Sequence, residues 1–256
     1  MADRVADFIM QRAHDWGARR VYGYAGDGVG GLIGALQRME KAHDADPGSP
    51  MIEFVQVRHE EMAGLCATAH AKFTGEVGFC LATSGPGATN LITAIADAQM
   101  DSIPMVVITG QVGSSFIGTD AFQEADIVGM TMPVTKHNIL VKNADDIPLA
   151  IKQAFHIAST GRPGVVLVDV TKDAQQAETV FEWPEELNLP GYRVPGRPNG
   201  KQIREAVELL VNAKRPVFLL GGGVLRSRAS EEVRALVEAA NAPFVTTLMA
   251  RGALPD

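Results

Sequence analysis

The residues best suited to chemistry in this chain cluster at the ends of apolar runs. Glu60 closes "FVQVRHEE", where a strand-like run gives way to a helix-like one. Ligand sites in open α/β sheets lie along that carboxyl edge. A carboxyl group placed there is partly withdrawn from water and suited to sharing a proton with a ligand. The competing reading is that Arg58, His59, Glu60 and Glu61 are solvated charges at a strand end. "ATSGPGATN", residues 82–90, sets Ser84, Gly85, Thr89 and Asn90 in a Gly-Pro-Gly turn into a helix, as caps or as donors to a ligand. Thr83 precedes Ser84, so the G-x-S-x-G nucleophile elbow is absent and a serine hydrolase is disfavoured.

"VYGYAGDGVGGLIGAL" raises a different chemistry. Gly26, Gly28 and Gly31 fit G-x-G-x-x-G between a strand-like and a helix-like run, as a dinucleotide phosphate loop would. That motif needs an acidic residue about 20 positions on, at a strand end. Glu53 has the distance but sits early in its strand. Two other readings remain: a sharp turn where glycine avoids strain, or bare backbone approaching a small ligand.

Residues 111–126 form a polar excursion after "PMVVITGQ", long enough to be functional, with Phe122 as an apolar wall and Gln123 as an amide. Arg162 and Lys172 flank the strand "GVVLVDV" as anion partners or ordinary surface charges. The glycines of "LLGGGV", Gly221, Gly222 and Gly223, suit a closely approaching cofactor or a tight turn. The six histidines show no H-x-x-x-H or H-E-x-x-H spacing, so no metal site is expected from them.

These residues need a scaffold. Three-to-four spacing predicts a helix over 3–16, then strand "RRVYGYA", helix "VGGLIGALQRMEKA", strand "MIEFVQVR", helix "EEMAGLCATAHAKFTG", strand "VGFCLATS" and helix "GATNLITAIADAQMD". Strand "PMVVITGQ", helix "DIPLAIKQAFHIAST" and strand "GVVLVDV" follow. Alternating strand and helix implies an α/β domain, an open parallel sheet with helices on both faces, over residues 1–173. Residues 174–200 are rich in proline and weakly periodic, as a linker is. Residues 201–256 begin a second α/β domain with only two helix–strand pairs, thin for an independent core, and are expected to be incomplete and less stable.

The bulk numbers exclude some functions. The chain has 256 residues, 46% hydrophobic and 21% charged, with a net charge of −7. Its 23 basic residues form no run, which argues against nucleic acid as a partner. No apolar stretch approaches the ~20 residues of a membrane span. Cys66 and Cys80 read as core thiols of a reducing compartment, hence a cytoplasmic protein.

Together, "RHEE", "ATSGPGATNLITAIADAQMDSIPMVVITGQV", "GTDAFQEADIVGMTMPVTKHN", "AFHIASTGRPGVVLVDV" and "VTTLMARGALPD" resemble acetohydroxyacid (acetolactate) synthase catalytic subunits. These belong to the thiamine diphosphate-dependent enzymes that include pyruvate oxidase. The likeness is long and specific from about residue 80 onward. Residues 1–79 look more like the pyruvate oxidase branch, because the synthases usually read Gly-Gly-Ala where this chain has Gly26-Asp27-Gly28. A natural intermediate and a recombined chimera both fit that division.

The resemblance implies three α/β domains in a full chain, binding the aminopyrimidine half of thiamine diphosphate, FAD, and the diphosphate with Mg2+. This chain would carry the first, begin the second and lack the third, so that alone it would be inactive. Glu60 matches the catalytic glutamate, which hydrogen-bonds the pyrimidine ring nitrogen and promotes loss of the thiazolium proton. Gln123 and Phe122 would line the active site, and Gly26 and Gly28 would approach the substrate-bearing cofactor. Ser84, Gly85 and Asn90 lie in the matched turn. Arg162, Gly221 to Gly223 and Thr247, Leu248 and Met249 match FAD contacts, with Ser102 a weaker one, and Lys172 falls at the mouth of the channel. Pyruvate and a second 2-keto acid would be the substrates, a homodimer or larger assembly would complete each site, and a regulatory subunit is a possible partner. The alternatives are a pyruvate oxidase or decarboxylase, and a paralogue that binds a partner without turnover.

Overall fold

A computed structural model describes residues 3–255. β1 (Asp3–Arg4) leads into α1 (Val5–Asp15), β2 (Arg20–Gly23), a 3-10 turn at Asp27–Val29 and α2 (Gly30–Ala45). β3 (Glu53–Gln56), α3 (Glu60–Thr74), β4 (Gly78–Ala82), α4 (Pro86–Thr89), α5 (Ile92–Met100) and β5 (Met105–Gln111) follow. Then come α6 (Ile127–Thr131), β6 (His137–Val141), α7 (Ile147–Ser159), β7 (Val165–Thr171), α8 (Lys172–Gln176) and β8 (Glu178–Thr179).

Six strands form one parallel sheet in the order β3-β2-β4-β5-β7-β6. Its central strands are largely apolar because both faces are covered. Phe79, Leu81, Val106, Ile108, Val166 and Val168 pack on one side with α1, α2 and α7. Cys80, Ala82, Met105, Val107, Val165 and Leu167 pack on the other with α3 and α5. The strand period of two thus sends alternate residues into two separate cores.

Several elements differ from the sequence expectation, which does not foresee β1, α6, α8, β8 or the short helix Gly223–Arg226. The helix expected from residue 3 starts at Val5, because Asp3 and Arg4 pair antiparallel with Thr179 and Glu178. The helix expected over 87–101 is broken into α4 and α5. β6, which the pattern did not reveal, is an edge strand with mixed exposure and so carries no continuous apolar run.

The chain separates into two compact units, the first running through Arg193 and the second from Val194. Of the expected linker, the part before residue 194 packs on the first unit. Phe181 stacks on Phe8 at 3.9 Å, and the Arg12 guanidinium lies 5.5 Å from the Trp183 ring. Lys136 Nζ donates to Tyr192 Oη and to Thr160 O. The second unit contains α9 (Gly200–Asn212), β9 (Phe218–Leu220), α10 (Gly223–Arg226), α11 (Ser230–Ala240) and β10 (Phe244–Thr246), with β9 and β10 parallel. Its core is small: Leu220, Val237, Ala250, Ala253 and Leu254. Among the described residues, no helix is long and apolar enough to cross a membrane.

Candidate active site

Glu60 is the first residue of α3, beyond the carboxyl end of β3. The preceding His59 caps the helix, its Nδ1 accepting from Glu61 N at 3.3 Å. Glu60 itself is 9% exposed, at the positive end of the helix dipole. Asn90 Nδ2 donates to Glu60 Oε2 at 2.9 Å. Asn90 follows α4, which the turn at Ser84 and Gly85 aims at α3. Gly85 sits at φ +60°, a backbone conformation glycine adopts without strain. A Cβ at Gly87 would stand 3.2 Å from Glu60 Oε1 and 2.6 Å from Thr83 Cγ2. Gly87 therefore leaves an approach to one carboxylate oxygen while Asn90 holds the other.

The glycine-rich loop serves this same turn. A Cβ at Gly26 would fall 2.5 Å from Thr83 Cβ, and one at Gly28 would fall 2.8 Å from Ser84 N. Gly28 N donates to Thr83 Oγ1 at 2.9 Å, and Gly28 O accepts from buried Gln175 Nε2 at 2.8 Å. A phosphate-binding loop needs its amides free. The Gly28 amide is committed to Thr83, and both glycines face the 83–84 turn, so close loop packing accounts for them better than a dinucleotide does.

The polar excursion is ordered by its own side chains. Glu124 accepts from the amides of Gly118 and Ala121, which holds its carboxyl below the usual range. Gln123 has φ +61°, and a Cβ at Gly85 would lie 2.6 Å from its carbonyl oxygen. Gln123 is thus brought against the turn that carries Asn90, whereas Phe122 is 87% exposed.

α8 fastens these loops together. Lys172 Nζ pairs with Asp27 Oδ2 at 2.6 Å. Asp173 accepts from Ser114 N at 3.0 Å and Ser114 Oγ at 2.5 Å. Desolvation works to raise the Asp173 carboxyl, but the hydrogen-bond donors around it, Ser114 first among them, together outweigh it and bring it down to about 2. Sequence reasoning singled out Lys172 here but missed Asp173, Gln175 and Thr83. Nothing local distinguishes them, because each acts on a loop far away in the chain.

Ser102 and Arg162 also meet. Arg162 Nε donates to Ser102 Oγ at 2.7 Å, with Ser102 buried at φ +56°. They precede β5 and β7, at the sheet edge opposite Glu60. In the second unit Gly222 caps α10, and Thr247 N donates to Leu220 O at 2.9 Å. Thr247 and Leu248 line an open depression with Phe244, Arg251 and Leu254. Met249 packs beside Gly222. Among the described residues no three acidic, histidine or cysteine side chains are grouped to hold a metal ion.

A parallel sheet bearing a buried glutamate at its carboxyl edge, under a Gly-Pro-Gly turn, defines an α/β cofactor-binding domain. Residues 3–130 match the N-terminal TPP binding domain of thiamine pyrophosphate enzymes, and residues 203–256 match their central domain. The chain belongs to the thiamine pyrophosphate enzyme family. The acetolactate synthase large subunit of Corynebacterium glutamicum is 59% identical over 208 residues, covering 81% of this chain and 33% of that protein. The acetolactate synthase of Mycobacterium bovis is 58% identical, with 81% and 34% covered. Acetolactate synthase 1 of Zea mays chloroplasts is 45% identical over 253 residues, 98% of this chain and 38% of that protein. The chain spans about a third of the length of the two bacterial relatives.

Proposed function

We propose that this chain forms the pyrimidine-binding part of an acetolactate synthase that condenses pyruvate with a second 2-keto acid in branched-chain amino acid biosynthesis. The observation that carries the proposal is the Glu60 carboxylate, buried, fixed through Oε2 by Asn90 and approachable at Oε1 beside Gly87. When bound, thiamine diphosphate supplies an acidic ring carbon and an electron sink for decarboxylation. The residues present fit its aminopyrimidine: Glu60 Oε1 would hold a proton against a ring nitrogen, while Asn90 prevents the carboxylate from rotating away. Gly87 keeps bulk out of that approach. Gln123 would line the space reached by substrate.

By the family likeness, Arg162, oriented by Ser102, would be an FAD contact in the first unit, and Gly221 to Gly223 and Thr247 to Met249 would be FAD contacts in the second, each taken by itself. Mg2+ and the diphosphate would be bound outside these residues. A homodimer or larger assembly, with a regulatory subunit, would complete the enzyme. Burial pushes the Cys80 thiol up to about 12, keeping it unreactive, as suits a protein of the reducing cytoplasm. The test is Glu60→Gln in a chain extended by the part of the Corynebacterium glutamicum relative beyond the match. Acetolactate formation should fall by about 100-fold or more, and unchanged formation would refute the assignment.

A further inference from the structure

The interior of the sheet holds a carboxylate that the proposed chemistry does not use. Asp169 lies inside β7, 1% exposed, in an otherwise apolar run. Thr109 Oγ1 donates to its Oδ1 at 2.7 Å, and Gln111 Nε2 donates to its Oδ2 at 2.9 Å. Gln111 is the last residue of β5, where the polar excursion departs. Its Nε2 also donates to Ala125 O at 2.8 Å, and its Oε1 accepts from Val112 N at 2.9 Å. A single side chain thereby ties both ends of the excursion together, and its orientation is dictated by the carboxylate. If Gln111 flipped, its oxygen would face Asp169 Oδ2 and Ala125 O, and its NH2 would face the Val112 amide. All three contacts would fail at once.

We propose that Asp169 is a positioning residue for the active site: through Gln111 it closes the neck of residues 112–125 and so holds Gln123 against Gly85, in the turn that leads to Gly87 and Asn90, the residues that meet Glu60. The consequence for catalysis rests on the acetolactate synthase reading; the consequence for the loop does not. Burial raises the Asp169 carboxyl to about 7 against the pull of its Thr109 and Gln111 hydrogen bonds, with nearby Asp126 adding to the rise. Folding thus retains a poorly solvated acid at this neck where an apolar residue would complete the core.

The test is amide hydrogen exchange on the full chain, read by mass spectrometry without substrate or cofactor. In Asp169→Leu the Gln111 Nε2 loses the acceptor that orients it, and exchange over residues 112–126 should accelerate about tenfold while β4 stays within twofold. Gln111→Met should do the same, and it serves if Asp169→Leu does not fold. Swapping the partners, Asp169→Asn with Gln111→Glu, rebuilds the side-chain bond and the Val112 contact but sets a carboxylate against Ala125 O. Protection should return near Val112 and not near Ala125, an end-specific rescue that general destabilisation cannot produce. Unaltered exchange over 112–126, or equal acceleration in β4, would overturn the inference. Because exchange needs no turnover, that failure would leave the Glu60 assay as an independent test of the functional reading.

Discussion

Asn90, just after α4, and Glu60, at the start of α3, share a 2.9 Å hydrogen bond that fixes one carboxylate oxygen and leaves the other facing Gly87. Asn90→Leu should uncouple the carboxylate from its holder. Losing a hydrogen bond to a buried charged group costs about 1.5–3 kcal/mol of stability. Turnover should fall by about tenfold if orientation of Glu60 matters. Thermal unfolding and acetolactate assays of the variant check both, and full activity would show that Asn90 does not position Glu60.

The glycines of the opening loop should divide by what they face. Gly30 is in the αR region with nothing within 4 Å of an added Cβ, so Gly30→Ala should be neutral or stabilising by up to about 1 kcal/mol. Gly28→Ala meets the Ser84 backbone at 2.8 Å, and Gly110→Ala would collide with the Gly28 carbonyl. Each should destabilise by about 1–3 kcal/mol or more. Equal denaturant midpoints for all three would contradict the close packing of the two loops.

Asp169 carries a pH signature. Its carboxyl rises from the ordinary 3.8 to about 7 on folding. The folded state therefore binds the proton more tightly, and this group's stabilising contribution is complete below pH 4. It is lost as pH climbs through 7, a change on the order of 4 kcal/mol. Asp169→Asn should flatten the dependence between pH 5 and 8 relative to the parent. The lowered His14 and His137 titrate in both proteins and cancel in the difference. Parallel pH profiles for the two proteins would rule out a raised acid at this position.

Arg162 and Ser102 predict a graded effect on flavin. Arg162→Ala should lower FAD retention about tenfold or more. Ser102→Ala removes only the 2.7 Å brace on the guanidinium and should lower it less. Absorbance of bound flavin after gel filtration reads both, and retention untouched by Arg162→Ala would remove it from the flavin site.

How much of the fold and site is legible in the sequence depends on where each signal resides. β4, β5 and β7 are central strands, so their apolar runs announce them, and Glu60 stands out as a carboxylate at a strand end. β6 pairs on one side only and shows no such run. Gly26 and Gly28 advertise a phosphate loop locally, and only the 83–84 turn, more than fifty residues away, reveals their use. Asp169 did leave a trace: an acid in the middle of "VVLVDV" opposes the apolar strand around it. Its partners Thr109 and Gln111 lie on the neighbouring strand, and no reading of one segment could join them.

The role of Glu60 is decided by acetolactate formation from pyruvate, with thiamine diphosphate, Mg2+ and FAD. Parent and Glu60→Gln are compared in the extended chain, beside the unextended chain. Turnover is expected in the extended parent, with a loss of about 100-fold or more in Glu60→Gln while fold and flavin content stay unchanged. Activity in Glu60→Gln within twofold of the parent would contradict a catalytic role for this carboxylate.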